Sequence, residues 1–318
     1  IKRWKIDGDA REKWAMSSDL YVKRAVDNVE RDLLAIGKGL TKKVTTPVTA
    51  GYRPEMETSP ELDERRTNYD QGLIGVLRWM CELGRVDILV AVSMLSRYLA
   101  SPREGHLDQV MHVLAYLKRY NKSSLVFDDT EMNVDESRFH KTDWAEQYPG
   151  AEEPLPLSAT EQRGKAVRSY CYVYADHAVC RVTRRSHTGI IIYVNRSSIL
   201  WYSKRQNTVE TSTFGSEFIA LQTAVEMIEG LRYKLRMMGV EVLGPTDVLC
   251  DNESVVTNST RSESTLKKKH NAIAYHRVRE AQAARIVRIA WQCGQENLAD
   301  LFTKNLAGPR LRELAGKI

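Results

Sequence analysis

Glu217, Asp251 and Asp300 stand far apart in the chain, each at or near the end of a segment with regular apolar spacing. Glu217 lies in Thr-Phe-Gly-Ser-Glu-Phe where a helical apolar pattern starts, Asp251 closes the strand-like run Asp-Val-Leu-Cys-Asp, and Asp300 sits in Asn-Leu-Ala-Asp-Leu-Phe-Thr-Lys. An earlier strand-like run, Tyr-Val-Tyr-Ala-Asp-His, ends on a fourth acid, Asp176. Magnesium is a hard ion that takes oxygen ligands, so a two-ion phosphodiesterase needs carboxylates brought together from several elements. One ion activates water and the other stabilises the leaving oxygen. Any one of these acids by itself reads as a helix cap or dipole partner. The order strand, helix, strand, helix reads instead as a metal shell.

The elements that must position these acids follow from apolar periodicity. Stretches 169–174, 189–194 and 199–203 are rich in β-branched and aromatic residues, with Asn195-Arg-Ser-Ser as the turn between the last two. A helix is predicted over 213–238, with Phe218, Leu221, Val225, Ile228 and Leu235 on one face and Gly239 at its end. A strand at 247–251, a helix near 272–284, a strand at 286–292 and a short helix from Asn297 complete the unit. Three meandering strands followed by alternating helices and strands predict an α/β fold, one mixed sheet flanked by helices.

Upstream the pattern is helical. Ser17 or Ser18 can cap a helix in which Leu20, Ala25, Val26, Val29 and Leu33 recur, and Gly37 and Gly39 stop it. Residues 41–63, with Pro47, Pro54 and Pro60, read as an extended connection. Apolar stripes then predict helices over 69–82, 87–99 and, after Pro102, through Lys118-Arg119. Residues 128–166 are acidic, then proline-bearing, and read as a linker between a unit at 1–127 and a second at 167–318.

A chain of 318 residues with 42% hydrophobic and 28% charged residues is long enough for two cores. Its net charge of +6 mildly favours a polyanionic partner. The five cysteines form no Cys-x-x-Cys pair and are odd in number, which argues against a zinc site or a disulfide framework and for a reducing, intracellular location, cytoplasmic or nuclear. Neither a signal-peptide core nor a long apolar run is present, so export and membrane partners are not expected. The first residue is Ile, so the sequence is read as a piece of something longer.

Further motifs give the acids a context: Thr-Arg-Arg-Ser-His-Thr-Gly at 183–189, Trp-Tyr-Ser-Lys-Arg-Gln at 201–206, Ser-Glu-Phe-Ile-Ala-Leu at 216–221, Cys-Asp-Asn-Glu-Ser at 250–254, Tyr-His-Arg-Val-Arg-Glu at 275–280 and Leu-Ala-Asp-Leu-Phe-Thr-Lys at 298–304. In this order and spacing they resemble the C-terminal part of the polyprotein of Ty1/copia-type retrotransposons, the end of the reverse transcriptase followed by a ribonuclease H domain. Residues 69–79, 86–97 and 113–118 resemble the helices that connect the two, so the resemblance covers nearly the whole chain.

The resemblance implies a ribonuclease H-like mixed sheet preceded by a mainly α-helical connection region. It implies hydrolysis of RNA in RNA–DNA hybrids, leaving a 3′-hydroxyl, with two Mg2+ ions, or Mn2+ in their place, held by Glu217, Asp251 and Asp300. It also implies the rest of a retroelement polyprotein as partner. The family's first-strand acid would fall on Tyr174, and Asp176 is the second acid of that motif; Val179 and Cys180 replace a further Gly-Asp. A phenol is neutral at pH 7 and cannot bridge two ions, so a missing contact worth roughly 3–4 kcal/mol would slow the reaction about a hundred- to a thousand-fold. Asp176 shares the strand face of Tyr174 and would substitute if the strand end shifts by one pleat; otherwise it is a solvated strand-end acid. The alternative function is a catalytically dead nucleic-acid-binding remnant. The paired acids of a polymerase palm are absent, since Asp128-Asp129 lies outside any plausible palm strand, so the fragment is not a competent reverse transcriptase.

Basic residues cluster between Arg261 and Arg288. Lys267, Lys268, Lys269, His276 and Arg277 from this run, with Arg184, Arg185, Lys204 and Arg205 near the strand turns, are the expected phosphate contacts to a hybrid, which is recognised through shape, phosphates and 2′-hydroxyls.

Overall fold

Two cores account for the apolar residues of the chain. In the computed structural model, which describes residues 1–5, 12–158, 160–266 and 269–318, one unit is built from 1–127, 180–182 and 304–318 and the other from 128–179 and 183–303.

In the first unit, β1 (Lys2–Lys5), β2 (Glu12–Ser17) and β3 (Ser124–Phe127) form an antiparallel sheet in that order. Four helices accompany it: α1 (Asp19–Ala35), α2 (Glu64–Glu82), α3 (Leu89–Leu95) and α4 (Glu104–Arg119). The expected stripes are buried, with Val26 and Val29 on α1, Leu73, Ile74 and Leu77 on α2, and Leu107, Val110 and Leu114 on α4; Leu20 instead faces solvent. Helix α2 starts earlier than its apolar pattern because Asp63 caps it, its side chain accepting from Arg66 N at 2.8 Å. Strand β3 was not legible in the sequence, since a run of four residues has no periodicity of its own and needs β2 as a partner.

In the second unit, β4 (Ser169–Asp176), β5 (His187–Val194), β6 (Ser197–Arg205), β7 (Thr246–Cys250) and β8 (Val287–Trp291) form one sheet in the order β6-β5-β4-β7-β8. The first three strands pair antiparallel; β4, β7 and β8 run parallel. Three helices belong to it, α5 (Thr213–Met237), α6 (Glu253–Thr260) and α7 (Ala272–Ala283), and α8 (Gly308–Ala315) ends the chain in the first unit.

Alternation along β4 divides the second core in two. Cys171, Val173 and Ala175 join Phe218, Leu221, Val225 and Ile228 of α5, while Tyr172 points the other way, against Phe139, Leu249 and Ala290. Residues 128–166, read as a linker, are packed within this unit. Phe139 is buried against the sheet, and Glu153 accepts two hydrogen bonds from the buried Arg232 of α5, at 2.7 and 2.9 Å. Phe139 and Trp144 of the segment are buried, whereas Leu155 and Leu157 are exposed.

Candidate functional site

The start of α5 is fixed by Ser212, whose side chain accepts from Gly215 N. That sets Glu217 within the first turns of the helix, over the C-terminal end of β4, where its Oε1 accepts from Ala175 N at 3.0 Å. Strand β7 runs parallel to β4 with Cys250 opposite Val173, so Asp251, the next residue, leaves the sheet at the same edge. Donor atoms of Glu217, Cys250 and Asp251 all lie within 4.8 Å of one another. Topology alone brings together residues that are more than thirty positions apart.

Burial and mutual charge raise the pKa values of Glu217 and Cys250 in this cluster. Glu217 is 3% exposed, and its Oε2 is buried with no hydrogen-bond partner among the described residues. Burial, followed by the charge of Asp251, pushes its pKa well above the usual carboxylate range; the bond from Ala175 N opposes this and the charge of Asp176 adds to it. Burial also pushes the Cys250 thiol well up, with the charge of Glu217 the next cause.

Asp176, the last residue of β4, is half-buried and near enough for its charge to act on Glu217. Tyr174 shares its alternation, away from the α5 core. Asp300 lies in a single 3-10 turn, Leu298–Phe302. Asn297 pins that turn to β4: its side chain accepts from Ala299 N and donates to Val173 O, both at 3.0 Å. Gly189 on β5 permits the close approach, since a Cβ there would meet Ala299 O at 2.6 Å. Among the described residues, neither Asp176 nor Asp300 belongs to the set gathered within 4.8 Å.

The expected phosphate contacts fall into two groups. Arg184 and Lys204 are exposed, Arg185 and Arg205 half-buried, and Lys204 and Arg205 pair across the ladder with Thr188 and His187. Lys269 is exposed, whereas Lys267 and Lys268 lie outside the described residues. Arg261 and Arg285 are exposed, while His276, Arg277, Arg279 and Arg288 have partners within the chain. His276 Nδ1 is 2.8 Å from the Tyr148 hydroxyl, Arg277 is paired with Glu229 and lies 3.4 Å from Glu280, and Arg288 pairs with Asp247 and Glu136. Arg279, 3% exposed, lies 4.7 Å from the ring centroids of both Trp144 and Tyr275 and donates to Ser262 O at 2.7 Å and Ser264 O at 3.1 Å.

Cys250 is the member of the cluster that the sequence did not reveal as a donor. The signal was its place: on the α5 face of a strand, immediately before an acid at the strand end.

The second unit is thus a five-stranded mixed sheet accompanied by helices, with two acids and a thiol converging at one edge. No family model matches the chain. It is 24% identical over 288 residues to the "Retrovirus-related Pol polyprotein from transposon RE1" of Arabidopsis thaliana, covering 90% of this chain and 17% of that protein. It is 25% identical over 300 residues to the corresponding polyprotein from transposon TNT 1-94 of Nicotiana tabacum, covering 93% of this chain and 19% of that one. Its homologues are retrovirus-related Pol polyproteins of copia-type transposons, and it spans less than a fifth of their length, 17% and 19% in these two. Among solved structures, LC11-RNase H1 in complex with an RNA/DNA hybrid is similar over 42% of this chain and 93% of that chain, with 16% sequence identity and a TM-score of 0.35.

Proposed function

We propose that this retroelement-type chain hydrolyses the RNA strand of RNA–DNA hybrids through its ribonuclease H-like unit, in a reaction that needs a divalent cation and is slowed by Tyr174. In the same reading, residues 1–127 are the connection end of a reverse transcriptase without polymerase activity, and the chain works inside the cell beside the rest of a retroelement polyprotein. Among the described residues no helix is long and apolar enough to cross a membrane.

The observation that carries the reading is the convergence of Glu217 and Asp251 with a buried, unbonded carboxylate oxygen between elements of different origin. Two carboxylates with donor atoms within 4.8 Å of each other, one of them buried, make a donor set that fits a cation. When bound, such an ion supplies Lewis-acid polarisation of a phosphoryl oxygen and a water of lowered pKa. Glu217 is oriented for the role by Ala175 N, which holds one oxygen and leaves the other available. Asp176 and Asp300 flank the edge as further acids. Arg184, Lys204 and Lys269, which are exposed, and the half-buried Arg185 and Arg205 take phosphates of the hybrid in this reading.

One specific observation favours the second reading, a nucleic-acid-binding domain without activity: a tyrosine stands at position 174, where an acid would complete the shell. Restoring the acid separates the two. Tyr174→Asp is expected to raise magnesium-dependent cleavage of a labelled RNA–DNA hybrid about a hundred- to a thousand-fold, and Asp251→Asn to abolish it in both backgrounds. Hybrid binding without cleavage in Tyr174→Asp would leave the binding domain as the function.

A further inference from the structure

The donors gathered at the sheet edge are not those that a pair of magnesium ions calls for. Two ions about 3.5–4 Å apart need several carboxylates to flank and bridge them. Among the described residues, the gathered set holds two carboxylates and one thiol. Magnesium keeps to oxygen, whereas a thiol ligand selects zinc and softer ions.

We propose that Glu217, Cys250 and Asp251 form a single-ion site for a thiophilic divalent cation of the zinc or cadmium type. The spacing suits one ion. Bonds of about 2.3 Å to sulfur and 2.0–2.2 Å to oxygen put donors around zinc roughly 3–4.5 Å apart, close to the 4.8 Å within which these three already lie. A second observation points to a ligand independently: Oε2 of Glu217, on a side chain 3% exposed, has no hydrogen-bond partner among the described residues. Its other oxygen is held by Ala175 N, so Oε2 is the atom left for an ion. On binding, the Cys250 S–H bond breaks, a sulfur–metal bond forms and the proton leaves to solvent; nothing is oxidised or reduced. The absence of a Cys-x-x-Cys pair excludes a four-thiolate framework but does not bear on one thiol completed by two carboxylates. This inference goes beyond the nuclease reading, because such an ion would bind whether or not the chain cleaves a hybrid.

The test uses the full chain, stripped of metal, titrated with Co2+ as an optical probe and with Zn2+ by calorimetry in a large excess of Mg2+. One equivalent of Co2+ is expected to produce a thiolate-to-cobalt charge-transfer band in the near ultraviolet, and Zn2+ to bind despite the Mg2+. Cys250→Ser should lose the band and weaken Zn2+ binding at least about tenfold, whereas Cys293→Ser, at the exposed cysteine, keeps both. Glu217→Gln should weaken Zn2+ as well, and thermal unfolding establishes that each variant is folded. If Cys250→Ser does not fold, the parent decides alone: no charge-transfer band, or Zn2+ displaced by equimolar Mg2+, overturns the site. A band that survives in folded Cys250→Ser also overturns it. Hybrid cleavage in Mg2+ is measured separately, so a silent nuclease with a cobalt band refutes only the proposed activity.

Discussion

The acidic edge of the sheet and the basic helix α7 both stood out as charge clusters, and the structure treats them in opposite ways. At the edge, donor atoms of Glu217 and Asp251 lie within 4.8 Å of each other, and one oxygen of Glu217 is buried without a hydrogen-bond partner among the described residues. Around α7, Arg277 is matched by Glu229, while Arg279 is stacked on two rings and bonded to backbone carbonyls. A cluster whose charges are matched from within supports the fold. One whose like charges are forced together, with burial raising the energy of the ionised form, is kept for something that arrives from outside.

Three measurements would break or sharpen that contrast. The largest effect is expected at Arg279→Ala. Losing charged donors to Ser262 O and Ser264 O, together with the stacking on Trp144, should lower stability by about 2–4 kcal/mol in urea unfolding. A change under about 0.5 kcal/mol would mean that this cation is not structural.

Next comes Glu217→Gln in metal-free protein. The folded-state pKa of Glu217 is raised, so the stability linked to its protonated form is present below the unfolded value and is lost as pH rises through the folded one. The parent should therefore lose more stability than the glutamine variant on going from acid to alkaline pH, leaving the variant ahead at high pH. A divalent cation should restore the parent. Equal pH dependence of parent and variant would show that the two acids do not repel.

The smallest effect concerns the exposed cations. Arg184→Ala combined with Lys204→Ala should reduce the salt dependence of hybrid binding by about one counterion per residue, with under about 1 kcal/mol lost for each at moderate salt. Arg277→Ala, already neutralised by Glu229, should leave the slope unchanged. Equal slopes lost in both variants would erase the distinction between the two regions.

The sequence by itself determined the α/β pattern, the helices of the first unit and the acids at 217 and 251, because apolar periodicity and residues at segment ends are local properties. It did not reveal β3, whose four residues owe their conformation to pairing, nor the packing of residues 128–166, where a few buried side chains outweigh a coil-like composition. Likewise, charge counting does not show that Arg277 is paired with Glu229 or that Arg279 stacks on Tyr275, since a sequence does not reveal which cation finds an acid or a ring. Only the tertiary structure decided that Cys250 stands with the two carboxylates. Strand order and register put its sulfur beside an acid from another element, and proximity between distant residues is set by the sheet as a whole rather than by any segment of it.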